Sequence, residues 1–227
     1  VGFGIILPIL PFYAQAYDAS AVQITLLVSV HSGAQIISSL VWGRLSDRYG
    51  RKVILLLTLS GGACAFVWFG FAGSLTALFL ARGLSGVMAG NMAVAQAYLA
   101  DISTPERRGR IISIYQGCFL FAVGIGPLPG GLLATHYGLA MPFQAYGCAS
   151  LLATAVAWFA VKETRGLGAA GVGAGPAISY LRQVRLLMSQ VGYVLASVVS
   201  LTNAVVRTGG LFTIIPVYVS MRLGLSV

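Results

Sequence analysis

The chain has 227 residues, of which 58% are hydrophobic and only 8% are charged, and its formal net charge is +9. Soluble domains carry charge on about 25% of their residues. The composition therefore excludes a disordered chain, a coiled coil and an ordinary soluble enzyme. The basic excess does not indicate nucleic-acid binding, because the basic residues lie between hydrophobic segments rather than on one soluble face.

Long stretches without a charged residue predict helices that cross a membrane, and the longest of them runs from 111 to 161. A bilayer core about 30 Å thick requires about 20 apolar residues in a helix. A β-barrel would instead show alternating segments of about ten residues. The sequence predicts seven helices, over residues 1–17, 22–42, 52–72, 76–100, 110–134, 141–161 and 192–219. We expect the first to begin before residue 1 and further helices to follow residue 227.

The connections between the predicted helices differ in charge, and this difference predicts orientation. The first, third and fifth connections contain no basic residue, whereas the second, fourth and sixth contain most of them. By the positive-inside rule, the N-terminus and the basic connections are cytoplasmic in a multi-pass plasma-membrane protein, in bacteria the inner membrane. The basic residues concerned are Arg44, Arg48, Arg51, Lys52, Arg107, Arg108, Arg110, Lys162, Arg165, Arg182 and Arg185.

The sixth connection divides the chain. Residues 162–190 contain a Gly/Ala tract typical of a flexible linker. Residues 1–161 thus form a six-helix bundle, and residues 191–227 carry the first helix of a second bundle. Pro11-Phe12-Tyr13 near the end of the first helix recurs as Pro216-Val217-Tyr218 in the seventh, which suggests two parallel repeats.

A glycine-rich, basic string from Gly43 to Lys52 joins the second and third predicted helices. Gly43 and Gly50 allow a tight turn. Asp47 is predicted near the positive end of a helix, and Arg51 is within reach of a carboxylate on a neighbouring helix.

A second string lies in the fifth predicted helix. Three glycines seven residues apart share one helix face, two glycines four apart form a close-packing pattern, and a proline bends the helix. The three glycines on one face are Gly117, Gly124 and Gly131. The close-packing pair is Gly126 and Gly130, and the proline is Pro127.

Charged and polar residues inside the spans are candidates for the transport pathway. Arg82 in the fourth helix and Arg207 in the seventh are costly in lipid, so we expect them to face a cavity or a partner. The alternatives are an Arg82 side chain that extends to the interface and an Arg207 that pairs with another helix. Further candidates are His31, Gln96 and Asn203.

These segments resemble the major facilitator superfamily, specifically its twelve-helix drug/proton antiporter branch, which includes tetracycline exporters. The resemblance implies an all-α, polytopic transmembrane helical bundle with the major-facilitator fold, here the six-helix N-terminal half plus the first helix of the C-terminal half. The string from Gly117 to Gly131 matches the antiporter signature at every defined position. The string around Arg82 matches less completely, because Ser85 stands where glutamine is often found.

The resemblance also implies residue roles. The string containing Gly43, Asp47, Arg48, Gly50 and Arg51 acts as a conformational latch. Its aspartate engages the second half, and its second arginine pairs with Asp101. The arginine of the fourth helix takes part in proton coupling. The glycines of the fifth helix pack against a helix of the second half.

The function that follows is secondary active transport: proton-coupled efflux of drugs or small amphipathic molecules by alternating access. The alternative is an uptake carrier or uniporter for a small metabolite. We expect no cofactor and no metal, with the proton gradient as the energy source. The partners are a small-molecule substrate and the lipid bilayer, the complete protein is expected to be a monomer, and no enzymatic activity is expected.

One departure from the family pattern concerns the proton. Proton antiport requires a group that titrates, usually a carboxylate, yet no Asp or Glu lies inside a predicted span. The proton carrier is therefore either outside this sequence or not a carboxylate.

Overall fold

The computed structural model describes residues 2–164, 185–186 and 188–205, and the regular structure in this part of the chain is helical. The helices are α1 (Gly2–Gln15), α2 (Ala21–Tyr49), α3 (Arg51–Gly70), α4 (Leu75–Ala89), α5 (Met92–Asp101), α6 (Pro105–Ile125), α7 (Pro127–Tyr137), α8 (Met141–Ala160) and α9 (Val191–Val205).

Five stretches of the described chain are long and apolar enough to cross a membrane, and they correspond to the second to sixth predicted helices. They are Val22–Tyr49, Arg51–Gly70, Leu75–Asp101, Pro105–Tyr137 and Met141–Ala160. Side chains as large as Leu152 and Phe159 are exposed on their surfaces, at 70% and 86%. A helix with such an outer surface requires lipid around it. The all-α, polytopic membrane fold is confirmed.

The chain divides into two compact units, Val1–Val172 and Gly173–Val227. Helices α1 to α8 belong to the first unit and α9 to the second. α9 begins at Val191, one residue before the predicted start of the seventh helix. The rest of that predicted helix, including Arg207, and the Gly/Ala tract lie outside the described residues.

The first unit has two buried clusters, one near each end of its helices. The larger contains Leu10, Leu27, Phe69, Leu78 and Phe143, each at most 1% exposed. The smaller contains Ile54, Leu55 and Val94, with Trp42, Leu45, Ala95 and Tyr98 packed against it. The smaller cluster holds α2, α3 and α5 together at the end where the first glycine-rich string lies.

The second helix is longer than predicted, which corrects the interpretation of the string from Gly43 to Lys52. Helix α2 continues to Tyr49, so Gly43, Asp47 and Arg48 are helical rather than part of a connection. Leu45 packs against the smaller cluster and Ser46 is 1% exposed, so packing extends the helix beyond its charge-free stretch. The turn is made at Gly50 alone, with φ +107°, and the predicted turn at Gly43 is wrong.

The fourth predicted helix is divided into α4 and α5, which the sequence did not indicate. The division lies at Gly90 and Asn91. Side chains of α2 bind backbone carbonyls near the end of α4: Trp42 Nε1 donates to Val87 O at 2.7 Å, and Gln35 Nε2 donates to Ala89 O at 3.3 Å. Within a membrane such carbonyls need protein donors, because lipid offers none.

The fifth predicted helix begins at Pro105 rather than at 110, because Pro105 at its first position and Glu106 in its first turn favour a helix start. Arg107, Arg108 and Arg110 therefore lie in a helix rather than in a connection. At the other end, α6 stops at Ile125 and α7 starts at Pro127. The helix is interrupted next to this proline, at Gly126, and the bend predicted there stays a prediction.

Candidate functional site

The first candidate site is a charged cluster around Arg51, the first residue of α3. Its Nη1 lies 2.6 Å from Asp47 Oδ1 and donates to Ser46 Oγ at 2.7 Å, and its Nε donates to Asp101 Oδ2 at 3.1 Å. The side chains of Arg51 and Asp101 are 18% and 16% exposed, whereas that of Asp47 is 65% exposed. One guanidinium thus joins α2, α3 and α5, and one of its carboxylate partners remains open to the outside.

The chain after α8 joins the same cluster through Glu163. The backbone N–H groups of Arg51 and Thr164 donate to Glu163 Oε1 at 2.9 and 3.0 Å. A Cβ at Gly50 would lie 2.7 Å from Glu163 Cδ. Glycine at this position therefore meets two requirements, the left-handed backbone and the space for the carboxylate. The carboxylate in turn stabilises the positive end of α3.

The predicted latch residues do not all take part in this cluster. Asp47, Gly50, Arg51 and Asp101 are brought together, and the contact between Arg51 and Asp101 is the one that the resemblance implied. Gly43 lies within α2 with open space where a Cβ would be. The exposed Arg48 guanidinium lies 5.5 Å from the centre of the Tyr49 ring. The latch role of all these residues stays a prediction.

Two members of the cluster were missed at the level of sequence, Ser46 and Glu163. The serine precedes Asp47 directly, and only the unforeseen extension of α2 places it beside Arg51. The glutamate falls at the start of the predicted linker. An acidic residue directly after a span is a weak signal, because charge is common at such positions.

The second candidate site is a buried polar cluster between α2 and α4. His31 on α2 is 7% exposed, and Arg82 and Ser85 on α4 are 2% and 3% exposed. His31 Nδ1 lies 3.0 Å from Ser85 Oγ, and Ser85 Oγ–H donates to Arg82 O at 2.8 Å. Arg82 Nε has no hydrogen-bond partner in the described part of the chain. Arg82 is thus buried among helices and does not extend to the interface.

The other polar candidates lie apart from this cluster. Gln96 is half-buried on α5, beyond the division of the fourth predicted helix and roughly four turns from Arg82. Asn203 is exposed on α9, and Arg207 lies outside the described residues. Sequence reasoning noted Ser85 only as a departure from the family pattern. No signal in the sequence brings Ser85 and His31 together, because they are 54 positions apart and on different helices.

A third feature is the glycine face of α6 and α7. A Cβ at Gly117, Gly124 or Gly131 would meet no described atom within 4 Å. Helix α1 approaches from elsewhere, since a Cβ at Gly4 would lie 2.6 Å from Val123 O. Gly126 and Gly130 are buried and Pro127 is half-buried. Within the described residues the face of the three glycines is open, and its packing against another helix stays a prediction.

Metal binding has no candidate among the described residues, where no three His, Cys, Asp or Glu side chains are grouped for a metal ion.

Comparison with known proteins defines the class to which this fold belongs. The family model described as Major Facilitator Superfamily matches residues 1–227. The chain belongs to this superfamily, whose members are transporters, and it is a multi-pass membrane protein.

Individual relatives are similar at modest identity. The chain is 32% identical over 146 residues to "Tetracycline resistance protein, class H" of Pasteurella multocida, a match that covers 63% of this chain and 36% of the relative. It is 31% identical over 146 residues to "Efflux pump azaK" of Aspergillus niger, which covers 62% and 31%. The chain thus spans about a third of the length of these curated relatives.

A solved structure with a similar fold is the human organic anion transporter MFSD10 (TETRAN). The TM-score is 0.59 at 19% identity, and the match covers 73% of this chain and 45% of that one. At this identity the likeness concerns the fold alone.

Proposed function

We propose that the protein exports drugs or other small amphipathic molecules across the plasma membrane and takes up protons in exchange. The observation that carries this proposal is the similarity to proteins named for tetracycline resistance and for efflux. It is supported by the glycine and proline string of α6 and α7, which resembles the antiporter signature. The energy source would be the proton gradient, and the substrate would be a small molecule rather than a nucleic acid.

The mechanism we propose is alternating access, in which two bundles rock about a site at mid-membrane. Rocking requires that each bundle move as a body. The Arg51 cluster supports this for the first bundle, because one guanidinium contacts α2 and α5 and the adjacent backbone N–H binds Glu163 after α8. Asp47 is the exposed partner in this cluster and is therefore the group available for contact with the second bundle.

The proposed orientation places the Arg51 cluster and the start of α6 in the cytoplasm. Arg44, Arg48 and Arg107 then lie on the cytoplasmic side, together with the chain after α8. His136, near the end of α7, lies on the opposite side. Single cysteines at positions 108 and 136, in an otherwise cysteine-free full-length protein, should label from opposite faces of intact cells with a membrane-impermeant maleimide. Labelling from one face would overturn the orientation.

Transport itself is tested with the full-length protein in proteoliposomes under an imposed pH gradient, with tetracycline as the probe. Accumulation against its concentration gradient, lost when a protonophore collapses the pH gradient, is the expected result. Movement only down the concentration gradient would identify a uniporter, and movement with the proton would identify an uptake carrier. Either outcome would overturn the proposal. The Asp47→Asn variant is expected to insert normally but transport less, with Arg107→Ala as the control, because Arg107 is exposed and outside the predicted latch.

A further inference from the structure

The buried cluster between α2 and α4 contains a titratable side chain, His31, in a chain whose predicted spans contain no Asp or Glu. Within it, α4 approaches the backbone of α2 closely, since a Cβ at Gly86 would lie 2.9 Å from His31 Cα. Only a glycine permits this approach. It places the His31 ring against Ser85, three residues after Arg82 on the same helix face.

The contacts of Ser85 set the tautomer that we expect for His31. The Ser85 hydroxyl lies 2.8 Å from Arg82 O, which can only accept, and 3.0 Å from His31 Nδ1, which donates or accepts according to the tautomer. With the hydroxyl proton on the bond to Arg82 O, Ser85 Oγ accepts from His31, and Nδ1 carries the proton. In the neutral imidazole the lone pair that can take up a second proton is then on Nε2.

Arg82 is the charged residue that shares the buried cluster with His31. Both side chains are more than nine-tenths buried, and Arg82 Nε has no acceptor in the described part of the chain. The sequences of α1 and α4 contain no other charged residue, and that of α2 contains none before Arg44. The titratable groups of the neighbouring helices are Tyr13 on α1, Arg51, Lys52 and Cys64 on α3, and Tyr98 and Asp101 on α5. Of these, Tyr13 binds Phe69 O and Asp101 binds Arg51.

We propose that His31 is the residue of this bundle that accepts the transported proton, that Ser85 positions its ring, and that Arg82 couples its charge to the packing of α2 against α4. This inference rests on the proposed proton coupling. In the step itself a proton leaves a hydronium ion in the pathway and binds the Nε2 lone pair, and the neutral imidazole becomes a cation that keeps its Nδ1–H bond to Ser85.

Protonation then places two positive charges in a site with little water. Their repulsion is stronger there than in solution, because the local dielectric constant is low. The repulsion is relieved when Arg82 moves away from α2. When the proton leaves His31, α4 packs against α2 again. A change of one proton is thereby converted into a change at a helix contact, which an antiporter requires.

Histidine NMR tests the assignment without transport. The full-length protein in detergent is labelled with ¹⁵N-histidine, and His31→Asn identifies the His31 signals. The expected neutral form carries its proton on Nδ1, and Ser85→Ala should shift it to the Nε2–H form that predominates in water. Arg82→Gln should make His31 about tenfold easier to protonate, whereas Arg82→Lys should retain most of the wild-type behaviour.

His136 is the matched control, because it is exposed on α7, and its signals should not change in the Ser85 and Arg82 variants. An Nε2–H form in the wild type, or the same titration midpoint with and without the Arg82 charge, would overturn the proposal.

A transport arm separates this inference from the proposed function. In proteoliposomes, His31→Asn should retain tetracycline movement down its gradient but lose accumulation driven by the pH gradient, while His136→Asn behaves as wild type. If His31→Asn still accumulates tetracycline, the assignment of the proton to His31 is wrong and efflux stands. If tetracycline transport by the wild type does not depend on the pH gradient while the NMR results hold, the proposed function fails. His31 would then bind a proton that is not transported.

Discussion

Two arginines of this bundle, Arg51 and Arg82, occupy opposite electrostatic situations. Arg51 is 18% exposed and binds Asp47, Asp101 and Ser46. Arg82 is 2% exposed, and its Nε binds no described acceptor. Arg51, a charge at a helix end with carboxylate partners, stabilises the fold. A buried guanidinium whose Nε lacks an acceptor among the described residues lowers stability, which is the basis for our proposal that Arg82 serves transport.

The largest expected effect concerns Arg82. Replacement by methionine removes a buried charge and keeps the length of an apolar side chain. Uphill transport should fall at least tenfold, because the partner of His31 is lost, while thermal stability in detergent stays the same or rises. Transport and unfolding are measured on the same preparation. A variant that unfolds easily would show that Arg82 has a structural partner after all.

The same substitution at Arg51 should have the reverse profile. Arg51→Met leaves Asp101 and Ser46 without their donor, and the stability of the bundle should fall by about 1–3 kcal/mol. The exposed Asp47 adds little to this figure, because solvent screens it. Arg48→Met is the control, since Arg48 is exposed, and thermal unfolding should distinguish the two. Equal stability of both variants would contradict the claim that the contacts of Arg51 stabilise the bundle more than an exposed arginine does.

A smaller effect is expected at Gly50. Alanine there must adopt φ +107° and meets the Glu163 carboxylate, so stability should fall by about 1–2 kcal/mol. Gly43→Ala is the matched control. It lies within α2 with free space at Cβ, and alanine should stabilise the helix by about 0.5–1 kcal/mol. The thermal midpoints of the two variants should therefore move in opposite directions, and a shift of both in one direction would contradict this geometry.

The smallest effect concerns Glu163. Glutamine keeps an oxygen that accepts from the Arg51 N–H but loses the charge at the start of α3. A loss of about 0.3–1 kcal/mol is expected, and it should shrink in high salt. Urea or thermal unfolding at two salt concentrations measures it. A loss that does not depend on salt would indicate that the carboxylate acts only by its shape.

The sequence was sufficient for features that depend on composition or on local geometry. Charge-free stretches predicted the spans, and Pro127 predicted the division between α6 and α7. It was insufficient where packing decides. The extension of α2 past Gly43 depends on Leu45 and Ser46 being buried by other helices, and the division at Gly90 depends on Trp42 and Gln35.

The candidate sites divide in the same way. Asp101 could be named as the partner of Arg51 from the resemblance, because both residues belong to known strings. The contact between His31 and Ser85 could not be predicted, since it depends on how α2 and α4 are aligned at Gly86. A single sequence contains no periodicity that reports such an alignment between two helices.

The most direct test of the account is the proton released when substrate binds. Tetracycline is added to the full-length protein in weakly buffered detergent at the titration midpoint of His31 found by NMR, and a pH-sensitive dye reports the protons. Wild type and His136→Asn should release protons in proportion to the tetracycline bound, and His31→Asn should release almost none while binding continues. Equal release from all three would contradict the claim that His31 carries the exchanged proton.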